Sequence, residues 1–323
     1  MKSVKLAAVL MIAGLGASLV GAQVAQVDTA IPSYQRGAAL SGNLSSVGSD
    51  SMLNLMTYWA EGFARLYPGV KIQIEGKGSS TAPPALIAGT AQLGPMSREM
   101  KDSELDAIEQ KYGFQPTQIR SSIDVLGVFV NKDNPIASLT LPEVDAVFSK
   151  TRKGGFGKNI TTWGQLGLKG AWAPRPISIF GRNAASGTYG FFKENALYKG
   201  DYKDTVKEQP GSASVVQGVS EDMAAIGYSG IGYRTSGVRA LPLAARAGEQ
   251  AYEPNYENAL SLKYPLTRYL LIYVVADPRK AMDPLTREFL KYVLSKEGQE
   301  VVIKDGYLPL PAAMVQQELG KLR

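Results

Sequence analysis

Two long β-rich runs constrain the fold of this chain more than any other feature of its sequence. The first, IDVLGVFVN, spans residues 123–131, and the second, YPLTRYLLIYVVAD, spans residues 264–277. The block between them contains strand and helix patterns of its own. We therefore expect two lobes joined by two crossover strands that serve as a hinge, with the C-terminal part returning to the first lobe. A cleft between two lobes is a common place for a ligand site.

The segment before the first run predicts alternating strands and helices. Residues 51–69, SMLNLMTYWAEGFARLYPG, carry apolar side chains at helical spacing, and residues 70–76, VKIQIEG, alternate as a strand does. This order predicts an α/β layout with a mostly parallel sheet. Near the C-terminus, residues 284–307 predict one long amphipathic helix.

The first 22 residues have the pattern of a secretory signal peptide. Lys2 and Lys5 precede the apolar run LAAVLMIAGLGASLVGA, which ends in Gly21 and Ala22. An uncleaved anchor helix is the alternative, but the run is rich in Gly and Ala and ends like a cleavage site. We expect cleavage near Ala22 and a periplasmic or secreted protein. The predicted organisation is a signal peptide (1–22), a linker (23–40), a first lobe (41–128 and 265–323) and a second lobe (129–264).

The composition favours binding over catalysis. The chain contains no Cys and no His, so it lacks thiolate nucleophiles, the commonest general base and the commonest zinc ligand. We predict that it is not an enzyme and uses no metal or cofactor. Without Lys2 and Lys5, 33 basic residues remain against 29 acidic ones, a net charge of +4. Because no basic run stands out, nucleic acid is a poor partner, whereas a small anion suits this charge.

Three Gly/Ser/Thr-rich turns lead directly into predicted helices. A helix start exposes free backbone N–H groups and partial positive charge, and hydroxyl groups add further donors. Together with a guanidinium, three such starts could surround a tetrahedral oxyanion. Ser, Thr and Asp are also the ordinary caps of helices, so each turn alone is more typical of a cap. The candidate residues in these turns are Ser49, Asp50, Ser51, Ser79, Ser80, Thr81, Ser186, Gly187 and Thr188, with Arg182 just ahead of the third turn.

Several stretches resemble the phosphate-binding proteins of Pst-type ABC transporters, in the order found in that family. They cover roughly residues 40–312 and are GSDSM, GKGSSTAPPALIAGTAQLGPMSREM, GRNAASGTYGFF, AIGYSGIGY, YPLTRYLLIYV and FLKYVLSKEGQEVVIKDGYLPLP. The resemblance implies an α/β fold of the two-lobed type II periplasmic binding protein kind, with mixed sheets flanked by helices. It also implies that Asp50, Ser51, Ser80 with its neighbours, Arg182 and the 186–188 turn line a phosphate site.

The chain departs from the family in one place. Some members place an Asp in the stretch that corresponds to LGPMSREM, as an acceptor for the phosphate proton, but this chain has Ser97 followed by Arg98. We include both residues among the candidate phosphate ligands. Asp50 could take the acceptor role or could be a helix cap, and the pattern leaves both open.

The expected function is capture of inorganic phosphate by an exported monomer and its delivery to an inner-membrane ABC permease. One alternative is a secreted surface or matrix protein that kept the fold for adhesion. Another is a phosphatase, which the absence of His, Cys and clustered metal ligands disfavours.

Overall fold

The computed structural model describes residues 25–322, so the predicted signal peptide lies outside the described residues. In this described part of the chain, no helix combines the length and the apolar character needed to cross a bilayer. The helices and strands follow in this order: β1 (Ser41–Gly48), α1 (Leu53–Leu66), β2 (Gly69–Gly76), α2 (Ala82–Ala88), β3 (Gly94–Met96), α3 (Asp102–Tyr112), β4 (Thr117–Asn131), β5 (Leu139–Thr140), α4 (Leu141–Phe148), β6 (Ser178–Arg182), α5 (Gly187–Asn195), β7 (Lys207–Gln209), α6 (Ser212–Glu221), β8 (Ala225–Gly230), β9 (Val238–Ala240), β10 (Leu243–Ala244), α7 (Tyr256–Leu260), β11 (Thr267–Val274), α8 (Pro284–Val293), α9 (Lys296–Lys304) and α10 (Ala312–Leu319).

The main sheet has mixed strand directions. Its seven strands include the path β3-β11-β4-β8-β6-β7, and β9 pairs with β4. Strand β11 runs antiparallel to β3 and β4, whereas β6 runs parallel to β7 and β8. The expectation of a mostly parallel sheet is therefore wrong for this sheet. Strand β4 leads the chain out of one half of the molecule and β11 leads it back, so these two crossover strands run in opposite directions. The separate β1–β2 pair is parallel.

Strand β4 belongs to both halves of the molecule. Its residues 117–125 pair with β11, and its residues 126–130 pair with β8. Strand β11 begins at Thr267, directly opposite Val125. We call residues 25–125 and 267–322 the first half, and residues 126–266 the second half. These crossing points lie close to the predicted lobe boundaries.

Helix α1 anchors the core of the first half to the C-terminal helices. Leu55, Trp59 and Phe63 recur every four residues and are fully buried. Trp59 Nε1 donates a hydrogen bond to the Gly298 carbonyl at 2.8 Å, and the Phe63 ring meets Phe289 edge to face at 5.4 Å. These contacts pack α8 and α9 against α1.

The predicted single C-terminal helix is wrong, because the structure has two helices there. Helix α8 ends at Val293, and Ser295 Oγ accepts a hydrogen bond from Gly298 N at 3.2 Å, which caps the start of α9. A β-carbon at Gly298 would lie 2.1 Å from the Tyr292 carbonyl oxygen, so the close junction of the two helices requires glycine. Apolar periodicity continues across such a break, so the sequence pattern does not reveal it.

The segment predicted as a linker is irregular, but it is packed against the first half. No helix or strand occurs between residues 25 and 40. Ile31 is buried there, and Tyr34 donates a hydrogen bond from its hydroxyl to Glu288 Oε1 at 2.7 Å. Lys296 N donates to the Pro32 carbonyl at 3.0 Å. These contacts tie the segment to α8 and α9.

Candidate anion-binding site

The three predicted turns follow the ends of strands, and each leads into a helix. The 3₁₀ turn Asp50–Met52 precedes α1, the 3₁₀ turn Ser79–Thr81 precedes α2, and Ser186 directly precedes α5. The first two turns belong to the first half, and the third belongs to the second half. Helix starts of this kind present N–H groups and partial positive charge to whatever lies in front of them.

Two glycines allow the halves to meet at this place. A β-carbon at Gly187 would lie 2.2 Å from Ser79 Oγ and 2.7 Å from Ser97 Oγ. Gly78 has a φ of +122°, and a β-carbon there would lie 2.5 Å from the Ala185 carbonyl oxygen. Larger residues would therefore push the start of α5 away from the second turn.

Hydroxyl groups from both halves converge at the same place. Ser51 Oγ lies 2.8 Å from Thr188 Oγ1 and 3.4 Å from Ser212 Oγ. Ser186 Oγ accepts hydrogen bonds from Thr188 N at 3.1 Å and from Tyr189 N at 3.3 Å, so it caps α5. A capping hydroxyl still has a proton to donate, so the cap and an anion contact are compatible.

The remaining hydroxyl residues of the turns have varied partners. Thr81 Oγ1 donates to the Gly78 carbonyl at 2.8 Å and thereby closes its own turn. Ser80 N donates to the Ala185 carbonyl at 3.1 Å, across the two halves. Ser49 Oγ is buried without a hydrogen-bond partner among the described residues. An unpaired buried hydroxyl is costly unless a ligand or water satisfies it.

Arg182 is buried and forms an ion pair across the two halves. Its Nη1 lies 3.1 Å from Asp50 Oδ2 and donates to Ser212 Oγ at 2.7 Å, while its Nη2 donates to the Pro210 carbonyl at 3.0 Å. Ser212 N donates to Asp50 Oδ2 at 2.8 Å. Both Asp50 and Arg182 therefore have protein partners at the site. Arg182 is thus a buried salt-bridge partner of Asp50 as well as a candidate ligand of the anion.

The surroundings of Arg182 are aromatic. Arg182 N donates to the Tyr228 hydroxyl at 3.1 Å, and Tyr228 donates to the Tyr202 hydroxyl at 3.0 Å. The Phe192 ring stacks on Tyr228 with centroids 3.9 Å apart. Burial lowers the pKa of Arg182, an effect that the charge of Asp50 opposes, and arginine stays protonated in proteins. Arg182 Nε is buried and has no hydrogen-bond partner among the described residues, so its N–H is left to donate to a ligand.

Ser97 and Arg98 follow β3 at the edge of the site. Ser97 N donates to Ser79 Oγ at 3.0 Å. Arg98 donates to both carboxylate oxygens of Glu104 at 2.7 Å, and its Nη2 donates to Ser80 Oγ at 3.3 Å. Burial by itself would raise the pKa of Glu104, but the hydrogen bonds from Arg98 and from the backbone of Lys101 bring it below the usual value. The charge of Arg98 is thus balanced by Glu104, and its visible role is to orient Ser80.

A second buried arginine, Arg268, reaches the same place and was missed by the sequence reasoning. Its Nε and Nη2 lie 2.8 and 2.7 Å from Asp124 Oδ2. Its Nη1 donates to the Ser97 carbonyl at 2.8 Å, and its Nη2 donates to Thr188 Oγ1 at 3.1 Å. Asp124 and Arg268 are direct neighbours in the register of β4 and β11.

A signal for this second pair is present in the sequence. Asp124 is the only charged residue in the run IDVLGVFVN, and Arg268 is the only one in YPLTRYLLIYV. Charged residues are rarely fully buried unless they are paired. A lone Asp in one crossover strand and a lone Arg in the other therefore indicate an ion pair. Ser212, which contacts both Arg182 and Asp50, carried no comparable signal.

The site combines many donors with balanced charge. Each of its two carboxylates, Asp50 and Asp124, is paired with an arginine. An anion would be held by hydroxyl and N–H donors and by the helix starts, with little net positive charge at the site. Within residues 25–322, no group of three or more Asp or Glu residues is arranged to hold a metal ion.

Comparison with known proteins places the chain among binding proteins. Residues 33–297 match the PBP superfamily domain. The chain is 57% identical over 310 residues to the phosphate-binding protein PstS of Pseudomonas aeruginosa. This similarity covers 96% of this chain and 95% of that protein.

Two solved structures are similar in fold. One is a putative phosphate ABC transporter substrate-binding protein with bound phosphate from Clostridium perfringens, with a TM-score of 0.69, 25% identity, and coverage of 83% of this chain and 100% of that chain. The other, an ABC-type phosphate transport receptor from Vibrio cholerae, has a TM-score of 0.64 at 23% identity, with coverage of 83% of this chain and 100% of that chain. These similarities confirm the α/β fold with a mixed sheet flanked by helices.

Proposed function

The chain belongs to the PBP superfamily, and from this premise we propose that it binds inorganic phosphate between its two halves and delivers it to an ABC permease. The observation that carries the proposal is the 57% identity, over 96% of the chain, to a protein named for phosphate binding. The convergence of three helix starts at one place supports it, because such starts suit an oxyanion. The protein acts as a binding protein and not as an enzyme.

The proposed ligand contacts use donors from both halves. Ser51 and the Ser80 hydroxyl would approach the anion from the first half, and Gly187 N with the Thr188 hydroxyl would approach it from the second half. Arg182 would add the Nε donor that the described residues leave unpaired. Each hydrogen bond to a charged oxygen contributes about 1.5–3 kcal/mol, so a few of them suffice for tight binding.

Asp50 is the proposed acceptor that distinguishes phosphate from sulfate. Its contacts with Arg182 and Ser212 N both use Oδ2. The other oxygen, Oδ1, would accept the proton that phosphate carries near neutral pH. Sulfate carries no such proton and would meet the carboxylate as a like charge, which disfavours its binding.

We further propose that the two halves are lobes that close over the anion. The crossing points in β4 and at the start of β11 would form the hinge, with boundaries near 125/126 and 266/267. Contacts between the halves at the site, such as Asp50 with Arg182 and Ser51 with Thr188, would form on closure. The protein would act as an exported monomer after cleavage near Ala22.

Calorimetric titration tests this proposal. Protein stripped of bound ions is titrated with phosphate, arsenate, sulfate and molybdate in separate experiments. Phosphate should bind most tightly, with arsenate next, because arsenate shares its shape and protonation. Equal affinity for sulfate would remove the role given to Asp50, and no heat with any of the four anions would overturn the proposed function.

A further inference from the structure

We propose that Arg268 is a positioning residue of the anion site, which holds the start of α5 against the first half through Thr188; this inference rests on the proposed function. Arg268 lies outside the three turns, and only 3% of its side-chain surface is exposed. It reaches the site from β11, and its ion pair with Asp124 accounts for its burial without any direct contact with the ligand.

The guanidinium of Arg268 joins two segments of the site that belong to different halves. Nη1 donates to the Ser97 carbonyl in the first half at 2.8 Å, and Nη2 donates to Thr188 Oγ1 in the second half at 3.1 Å. The guanidinium also lies over the Phe191 ring, 5.3 Å from its centroid. Phe191 lies three residues after Thr188 on α5, so two contacts attach the first two turns of that helix to β11.

Asp124 fixes the direction of Arg268. One carboxylate oxygen, Oδ2, contacts both Nε and Nη2 of the arginine, and the other, Oδ1, accepts a hydrogen bond from Ile231 N at 3.1 Å. Because Asp124 and Arg268 are neighbours in the strand register, their pairing does not depend on the second half. The first half thus offers a guanidinium that is already aimed before α5 arrives.

Arg268 also determines which way the Thr188 hydroxyl donates. A guanidinium has only donors, so Thr188 Oγ1 must be the acceptor of this hydrogen bond. The Thr188 proton is then directed elsewhere, toward Ser51 Oγ at 2.8 Å or toward a bound anion. Arg268 in this way keeps Thr188 in the donor state that an oxyanion requires.

The test is a double-mutant cycle read by phosphate titration calorimetry. The proteins are the wild type, Arg268→Gln, Thr188→Val and the variant with both changes. We expect Arg268→Gln to weaken phosphate binding at least tenfold, because a hydrogen bond from a charged group is lost. The double variant should bind no more than about twofold more weakly than Arg268→Gln, since both changes break one chain of contacts. Radiolabelled phosphate should leave Arg268→Gln faster, because the lost contact holds the closed form together.

Arg120→Gln serves as the matched control. Arg120 lies on β4, the neighbour of the strand that carries Arg268, and it pairs with a buried carboxylate, Glu318, at 2.6 Å, but neither Arg120 nor Glu318 is part of the site. Its phosphate affinity should stay within about twofold of the wild type, by the additivity of distant sites. If Arg268→Gln folds poorly, Asp124→Asn combined with Arg268→Gln removes both charges and is held to the same expectations.

Three outcomes would contradict the inference. Arg268→Gln with wild-type affinity would remove any role at the site, and independent, additive effects of Arg268→Gln and Thr188→Val would remove the link through Thr188. An equal loss in Arg120→Gln would assign the effect to general destabilisation. A wild type that binds no phosphate would instead overturn the proposed function itself, so the two failures are distinguishable.

Discussion

The two arginine–aspartate pairs of the site are built in different ways. Asp50 and Arg182 come from different halves, and each lies beside a helix start. Asp124 and Arg268 come from neighbouring strands of the same sheet and face each other in register. The first pair therefore depends on the approach of the halves, whereas strand pairing alone forms the second. One pair suits a contact that changes with the ligand, and the other suits a permanent support.

The largest expected effect is on the free energy of unfolding, which should respond differently to the loss of each arginine. Arg268→Ala should lower the free energy of unfolding by about 3–5 kcal/mol without phosphate, because it leaves the fully buried Asp124 carboxylate uncompensated. Arg182→Ala should lower it less, because the Asp50 side chain is 17% exposed and water can reach it. Urea unfolding of both variants at neutral pH measures the difference. The comparison breaks if Arg182→Ala proves the more destabilising change.

The next effect is on phosphate affinity, which tests whether Arg182 contacts the ligand. Arg182→Ala should weaken phosphate binding at least tenfold, about 1.4 kcal/mol, because it removes the spare Nε donor and the charge. Arg182→Lys should recover only part of the loss, since a point charge cannot reproduce the fork of donors. Calorimetry at one ionic strength measures both variants. Unchanged affinity together with lower stability would make Arg182 a purely structural partner.

Asp50→Asn sharpens the comparison through selectivity. Asn keeps an acceptor for Ser212 N but loses the negative charge. The preference for phosphate over sulfate should therefore narrow by about tenfold, while the fold is retained. Parallel titrations with both anions give the ratio for wild type and variant. An unchanged ratio would mean that the phosphate proton is accepted elsewhere or that Asp50 serves only to hold the turn.

The smallest effect concerns Asp305, a carboxylate that pairs with no arginine among the described residues. Burial raises its pKa from 3.8 to about 7, and its Oδ2 has no hydrogen-bond partner among the described residues. The folded state holds this proton more tightly than the unfolded state, so the penalty is absent below pH 3.8 and complete above about pH 7. The pKa change alone would correspond to about 4 kcal/mol, but Asp305 is partly exposed and water screens its charge, so Asp305→Asn should raise stability by about 1 kcal/mol at pH 8 and by little at pH 4. Urea unfolding at both values checks this, and an equal gain at both would exclude titration as the cause.

The helix starts could be predicted because their signal is local. A Gly, Ser or Thr cluster ahead of an apolar helical pattern needs only a few neighbouring residues, as at Ser186 and Gly187. The crossover strands were also predictable, because two long β-rich runs bracket a separate block. Both predictions depend on short stretches of sequence that act alone.

The partners of these residues were not predictable in the same way. The contact of Arg268 with Thr188 joins residues 80 positions apart and depends on how α5 meets β11. The bond from Ser212 N to Asp50 spans 162 positions. The prediction of one helix in place of α8 and α9 failed for another reason. Ser295 caps α9 and so interrupts the helix, but the apolar face continues across the interruption. Apolar periodicity therefore predicts neither contacts between distant residues nor a helix cap that lies within an apolar pattern.

The crossing of β4 has a consequence for the order in which the molecule folds. The second half is one continuous stretch of chain, but the first half is interrupted and stays incomplete until residues 267–322 join it. Trp59, for example, must wait for the Gly298 carbonyl. Contacts that close long loops form late, so we expect the second half to become protected first during refolding. Pulse-labelled hydrogen exchange should find amides of β6 and β8 protected before those of β11, whose partners in β3 and β4 lie far earlier in the chain. The reverse order would mean that the pairing of β4 with β11 forms first and that the second half is completed on it.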